Sequence, residues 1–237
     1  IRFLDIRKNR TCIIGDLSEF IEIMSISSDG RFLAVGDHKG NIYLWETSGR
    51  LINKWPGHAS FIECLGFSPN GTLLASVGFD AMLYVWSVPS CHKVWALEYK
   101  KHGAYSKDVL FSPDGRLLVF RDSGKIAVWE ITTGRLLWYY VYPTLIYPMA
   151  FSPSGDRLFI ATTSFIGAFS TSGDMLWKQH PKKNYFFERI ALSMDGNFLA
   201  AIASRNGYEK SFLSVWDASK GTIVGETVAP ECKHLAI

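Results

Sequence analysis

An all-β fold of repeated four-stranded sheets is predicted by three ladders of recurring residues. The first is a set of turn dipeptides, Asp29-Gly30, Asn70-Gly71, Asp114-Gly115, Ser154-Gly155 and Asp195-Gly196, with steps of 41, 44, 40 and 41 between the glycines. Each closes a run of the form (Ile/Phe/Leu)-Ser-x-x-Gly, as in GFSPNG and LFSPDG. Glycine after Asp, Asn or Ser supplies the positive φ of a tight hairpin, and a preceding Pro presets the first turn residue. The second ladder is Leu4, Trp45, Trp86, Trp129, Phe169 and Trp216, with steps of 41, 41, 43, 40 and 47. The third is Trp55, Trp95, Trp138 and Trp177, and the two together account for all 8 tryptophans. A repeat of this length points to stacked supersecondary units and leaves no Trp to assign to a ligand cage.

Between the landmarks lie β-formers in runs of five to seven, such as FIECLGF, TLLASV, MLYVW and HKVWAL, each bounded by Gly, Pro, Asn or Asp. Such spacing predicts four strands per repeat and no helix. A four-stranded sheet that is apolar on both faces must be sandwiched between copies of itself, and a ring of sheets does this with short edges. The expected architecture is therefore a β-propeller. Ile1 to Leu17 supplies two strands, matching the third and fourth of a blade. Five full blades then start near residues 20, 61, 105, 145 and 186, and Cys232 to Ile237 begins another. Joining the ends gives a sixth, shared blade; the alternative is an arc of a seven-bladed ring. Residues 1–237 are read as a single domain, part of a longer protein.

The stretch Gly57–Ser87 carries a more specific pattern. Gly57-His58, Ser76, Asp80 and Trp86 resemble the blade signature of the WD-repeat family. The resemblance implies a His–Ser–Asp–Trp hydrogen-bonded tetrad inside the blade, from His58, Ser76, Asp80 and Trp86. The literal Trp-Asp dipeptide occurs at Trp216-Asp217. Other repeats depart from the signature: Val35 and Lys39 stand for the Ser and Asp of the first full blade. The third keeps His102 but has Ser123 for the Asp, and the fourth has Tyr142 for the His and Phe169 for the Trp.

Composition narrows the remaining choices. With 48% hydrophobic and 20% charged residues, the 237-residue chain can bury a full core. Its apolar stretches fall short of the roughly 18 residues of a membrane span. The opening IRFLDIRKNR has charges within its apolar segment and no small-residue cleavage site, unlike a signal peptide. Cys12, Cys64, Cys91 and Cys232 are scattered, which fits free thiols in a reducing compartment, cytoplasmic or nuclear. A formal charge of +3 is too small to make nucleic acid the default partner.

Catalytic and metal motifs are absent from the sequence. There is no Gly-x-Ser-x-Gly elbow or phosphate loop, and the six histidines at 38, 58, 92, 102, 180 and 234 have no ligand spacing. Asn70-Gly71-Thr72 has the pattern of a glycosylation sequon but occupies a hairpin turn. Asp37, Asp80 and Asp122 all fall between second and third strands, hence on one face. Turn propensity accounts for them as well as acid–base chemistry at a channel does. The chain is therefore expected to be non-catalytic, without cofactor or metal.

The remaining candidate sites are loops and edges. Tyr99, Lys100, Lys101 and Tyr105 precede the third full blade, and Lys182, Lys183 and Tyr185 precede the fifth. The fifth blade's turn is lengthened to 204–210, adding Arg205, Tyr208 and Lys210. This insertion makes its ladder step 47, and insertions in repeat proteins often mark the binding face. A basic patch flanked by aromatics suits an acidic or phosphorylated peptide, or a nucleic-acid or phosphoinositide phosphate. In LLWYYVYPTLIYP, residues 136–148, Trp138, Tyr140 and Tyr142 share one face of an outer strand, for packing between blades or for docking a partner. The function expected is a protein-interaction scaffold. A nucleic-acid- or phosphoinositide-associated propeller is the alternative, and a channel-centred hydrolase the third reading.

Overall fold

The computed structural model describes residues 2–5, 10–13, 20–99, 107–182, 185–204 and 211–229. No helix occurs among them. Five four-stranded antiparallel sheets carry the fold, each with its strands in chain order, and a two-stranded pair precedes them. The chain divides into two compact units, residues 1–111 and 112–237.

The first unit opens with β1 (Arg2–Asp5) paired to β2 (Arg10–Ile13). Its first full sheet is β3 (Ile21–Ile26), β4 (Phe32–Asp37), β5 (Asn41–Glu46) and β6 (Leu51–Pro56). The second is β7 (Ile62–Phe67), β8 (Leu73–Gly78), β9 (Met82–Ser87) and β10 (Lys93–Glu98). β11 (Lys107–Phe111) closes the unit. β8 is apolar on both faces because each face meets a neighbour. Ala34 and Ile42 of one sheet pack with Ile62, Leu65, Leu74 and Trp86 of the next. Burial of this kind is worth about 25 cal/mol per Å² of apolar surface.

The second unit holds β12 (Leu117–Asp122), β13 (Lys125–Glu130) and β14 (Leu136–Val141). The fourth sheet follows as β15 (Ile146–Phe151), β16 (Arg157–Thr162), β17 (Ile166–Ser170) and β18 (Met175–Gln179). The fifth is β19 (Phe186–Leu192), β20 (Phe198–Ser204), β21 (Ser211–Asp217) and β22 (Ile223–Ala229). Phe159, Ile166 and Ala168 of the fourth sheet pack with Phe187, Leu199, Ala201 and Trp216 of the fifth.

The ladders acquire physical roles here. Each Ser-x-x-Gly run is a hairpin: Ser68 Oγ accepts the Leu73 N–H at 2.9 Å, and the Gly71 N–H reaches the Ser68 carbonyl, also at 2.9 Å. Gly71 takes φ 68°, which only glycine adopts without strain. Trp45, Trp86, Trp129, Phe169 and Trp216 are buried on the third strand of each sheet. Trp55, Trp95, Trp138 and Trp177 lie on the fourth strands, half-buried.

Candidate interaction surfaces

The second sheet brings His58, Ser76, Asp80 and Trp86 together. His58 Nε2 lies 2.7 Å from Ser76 Oγ, and its Nδ1 lies 2.9 Å from Asp80 Oδ1. The Trp86 indole N–H donates to Ser76 Oγ at 2.8 Å, while the Ala59 N–H donates to Asp80 Oδ2 at 2.8 Å. Burial pushes the His58 imidazole below its ordinary value, outweighing its bond to Asp80. Burial alone would raise the Asp80 carboxyl, but the bonds from Ala59 and His58 hold it below the usual range. These polar groups satisfy one another inside the sheet and stand as its internal fastening.

One residue essential to this seat carries no signal in a motif scan. A Cβ at Gly78 would come within 2.3 Å of His58 Nδ1 and 2.6 Å of Asp80 Oδ1. The imidazole fits only because β8 ends in glycine. At the same place the other second strands carry Asp37, Asp122, Thr162 and Ala203, read from the shared register of the ladder residues. A side chain there is part of why the tetrad is confined to the second sheet among the described residues.

The three turn carboxylates differ in position. Asp80 sits in its turn, whereas Asp37 and Asp122 are the final residues of β4 and β12 and are buried. Asp37 accepts from the Lys39 and Asn41 N–H groups at 2.9 and 2.8 Å, from Asn41 Nδ2 at 2.7 Å and from the Tyr43 hydroxyl at 3.1 Å. It fastens its own hairpin, in the sheet where Val35 and Lys39 replace the tetrad. No group of three or more His, Cys, Asp or Glu residues suited to a metal ion occurs among the described residues.

Of the predicted loop patch, Lys100, Lys101, Tyr105, Lys183, Arg205, Tyr208 and Lys210 lie outside the described residues. Lys182 and Tyr185 are described, and both meet Phe212. Lys182 Nζ lies 3.9 Å from the Phe212 ring centroid and 2.5 Å from Glu226 Oε2. Tyr185 meets the same ring edge-on at 4.8 Å. Lys182 is thus engaged by an internal carboxylate. Tyr99, expected on the loop, is buried instead and donates its hydroxyl to the Gly78 carbonyl at 2.9 Å.

On β14 the two faces have different roles. Trp138 Nε1 and the Tyr140 hydroxyl donate to the Thr171 and Gly173 carbonyls, both at 2.9 Å, and both rings pack on Phe169. Burial, with a smaller contribution from Tyr140, pushes the Tyr142 hydroxyl up to about 12. This face binds the neighbouring sheet. The open face carries Tyr139, 62% exposed, and Val141, 60% exposed. Other fourth strands also expose apolar side chains: Val94 on β10, Leu176 on β18, and Ile223, Val224 and Val228 on β22.

An all-β protein of repeated four-stranded sheets, one of them locked by a His–Ser–Asp–Trp network, belongs to the class of β-propeller repeat proteins. Residues 11–46 and 49–87 match the family "WD domain, G-beta repeat", which places WD repeats in these two stretches. Each matched stretch takes in the last strand of one sheet and three strands of the next. The chain is 27% identical over 218 residues to "Protein ROOT INITIATION DEFECTIVE 3" of Arabidopsis thaliana, spanning 84% of this chain and 49% of that protein. It is 27% identical over 173 residues to "Small ribosomal subunit protein RACK1y" of Oryza sativa subsp. japonica, spanning 69% and 49%. Similarity to "Telomerase protein component 1" of Mus musculus is 28% over 153 residues, 62% of this chain and 6% of that protein. The chain therefore spans about half the length of the first two relatives. Among the described residues, no helix is long and apolar enough to cross a membrane.

Proposed function

We propose that the chain is a non-catalytic scaffold that presents fourth-strand edges and loops to other proteins, as one module of a longer protein. WD-repeat proteins generally act as protein-interaction scaffolds. The observation that carries the reading is the set of fourth strands. Each ends its sheet, so one row of backbone groups has no partner strand within that sheet, and each of β10, β14, β18 and β22 adds exposed apolar side chains. An edge of this kind favours addition of a partner strand or docking of an apolar segment. The scattered cysteines fit an intracellular setting, with Cys64 and Cys91 free.

The test is capture of partners by the full-length protein, with Tyr139→Lys/Val141→Lys against Lys183→Glu/Lys210→Glu. Loss of capture with the first pair and unchanged melting temperature supports the edge. Loss with the second pair assigns binding to the basic loops, and a steep salt dependence would then favour a phosphate-bearing partner such as nucleic acid or a phosphoinositide. Unchanged capture by both variants sinks the scaffold reading for these surfaces.

A further inference from the structure

The entry into the first strand of a sheet carries a short recurring motif. Phe20-Ile21-Glu22 returns one repeat later as Phe61-Ile62-Glu63, and the fifth sheet has Phe186-Phe187-Glu188. The fourth sheet forms without it, on Leu145-Ile146-Tyr147. In all three copies the strand is bulged at the glutamate. Its register shifts between Ile21 and Ile23, between Ile62 and Cys64, and between Phe187 and Arg189. A bulge adds an unpaired residue and re-aims its side chain. Two of these carboxylates reach the end of the second strand: Glu22 Oε1 lies 2.6 Å from His38 Nδ1, and Glu188 accepts from the Ser204 hydroxyl.

In the first two sheets the motif presents rings. The His38 N–H donates to the Phe20 carbonyl and the Phe79 N–H to the Phe61 carbonyl, both at 2.9 Å, so the backbone arrangement is shared. The rings are treated differently. The His38 ring lies 5.5 Å from Phe61 and 3° from parallel, and the Phe79 ring stacks on Phe61 at 4.6 Å. Phe20, the counterpart of Phe61, is 85% exposed, with no ring stacked on it among the described residues. An isolated exposed ring calls for no ligand. This one stands at a copy of the motif where a flat, nitrogen-bearing ring already meets a phenylalanine and a bulge glutamate.

His38 shows what such an arrangement recognises. Its imidazole is flat, lies parallel to Phe61 and points a ring nitrogen at Glu22. A guanidinium meets the same two requirements, since it stacks on aromatic faces and binds a carboxylate through paired N–H groups. The charge agrees. Residues 20–22, 37–40, 57–63 and 78–81 carry Glu22, Asp37, Glu63 and Asp80 against one lysine, Lys39. We infer that the Phe-Ile-Glu entry of the first sheet docks an arginine of a partner protein, its guanidinium on the Phe20 ring and its N–H groups on Glu22 Oε2. The inference rests on the scaffold reading and adds a surface apart from the fourth-strand edges.

The experiment is a titration of the full chain with a short acetylated and amidated peptide of Gly-Arg-Gly repeats, followed by proton–carbon NMR of the phenylalanine rings. Phe20 is assigned as the signal lost in Phe20→Ser. The expected result is a saturable shift of that signal, with the Gly-Lys-Gly counterpart about fivefold weaker, because an ammonium neither stacks flat nor binds in pairs. Phe20→Ser and Glu22→Gln should each weaken the arginine peptide about fivefold, or ~1 kcal/mol, at unchanged melting temperature. If Phe20→Ser does not fold, Phe20→Leu removes the flat ring and keeps the apolar bulk. No saturable shift, equal binding of the lysine peptide, or undiminished binding by either variant overturns the proposal. Tighter binding of a thymine oligonucleotide overturns it in favour of nucleic acid. Tyr139→Lys/Val141→Lys should leave peptide binding unchanged. If that pair loses partner capture while the peptide fails to bind, the scaffold reading stands and this one falls.

Discussion

The second and fifth sheets have the same skeleton and different fillings. Leu74 pairs with Trp86 and Leu199 with Trp216, and both sheets carry a register shift near the start of the first strand, at Ile62/Cys64 and Phe187/Arg189. Inside the second sheet an imidazole, a hydroxyl, a carboxylate and an indole satisfy one another. Inside the fifth, Ala201 and Ala203 replace Ser76 and Gly78, the indole N–H has no partner among the described residues and a cavity remains. The repeat frame therefore does not depend on the polar network. Apolar alternation, hairpin glycines and stacking between sheets set the frame, and the network is a local fastening added where the sequence permits.

The most severe way to break the comparison is at Gly78. A methyl group there collides with His58 and Asp80, and displacing either leaves buried polar atoms without partners. Gly78→Ala is expected to lower stability by about 2–4 kcal/mol. Ala203→Gly, the mirror change in the fifth sheet, meets no such network and should cost about 1 kcal/mol or less. Urea unfolding of the two variants checks this. Equal losses would show that the tetrad does not govern the second sheet.

The same network predicts a pH effect. His58 is held neutral below its ordinary value of 6.5 by burial. Between the folded value and 6.5 the unfolded chain binds more protons than the native one, so stability falls as pH drops below about 6.5 and levels off beneath the folded value. Asp80, with its value lowered, contributes stability above its ordinary 3.8 that is lost only as pH falls further. On acidification the loss through His58 begins at a higher pH than the loss through Asp80. His58→Gln should abolish the loss between pH 7 and 5 while lowering stability at neutral pH, and urea midpoints at both pH values test it.

The frame was largely legible in the sequence because strands and tight turns are local. The hairpin glycines and the buried tryptophans fell in register, and the starts of the five full blades agreed within about two residues, while Cys232–Ile237 lies outside the described residues. The four tetrad residues could be picked out by resemblance, but Gly78 could not, since its requirement is a space shared with His58, 20 positions away. Side-chain partners across strands were equally hidden. Nothing in the order of residues says that Lys182 meets Glu226, that Tyr99 turns inward to Gly78, or that Tyr139 faces out while Tyr140 bonds to Gly173. The cavity needed the pairing of Ala201 with Ser214, which only the register supplies.

Two matched ring changes sharpen the comparison on a smaller scale. Trp86→Phe removes a donor that Ser76 uses, and Trp216→Phe removes one that has no partner among the described residues. Both lose similar ring volume, so the difference isolates the hydrogen bond. Trp86→Phe should cost about 1 kcal/mol more than Trp216→Phe. Thermal melts of the pair provide the measurement, and a difference near zero would mean that the Ser76 contact contributes nothing net.

The smallest expected effect comes from giving the fifth sheet part of what it lacks. Ala201→Ser places a hydroxyl at the position from which Ser76 meets Trp86. The Trp216 N–H then gains an acceptor, while the new hydroxyl is left with one bond instead of the two or more that Ser76 has. The gain and the desolvation cost nearly offset, and a net stabilisation of about 0.5 kcal/mol or less is expected. Its spectroscopic signature is clearer than its energy: the Trp216 indole proton should move downfield. Destabilisation by more than about 1 kcal/mol would show that the added oxygen cannot reach the indole, and that the two sheets differ in backbone geometry as well as in filling.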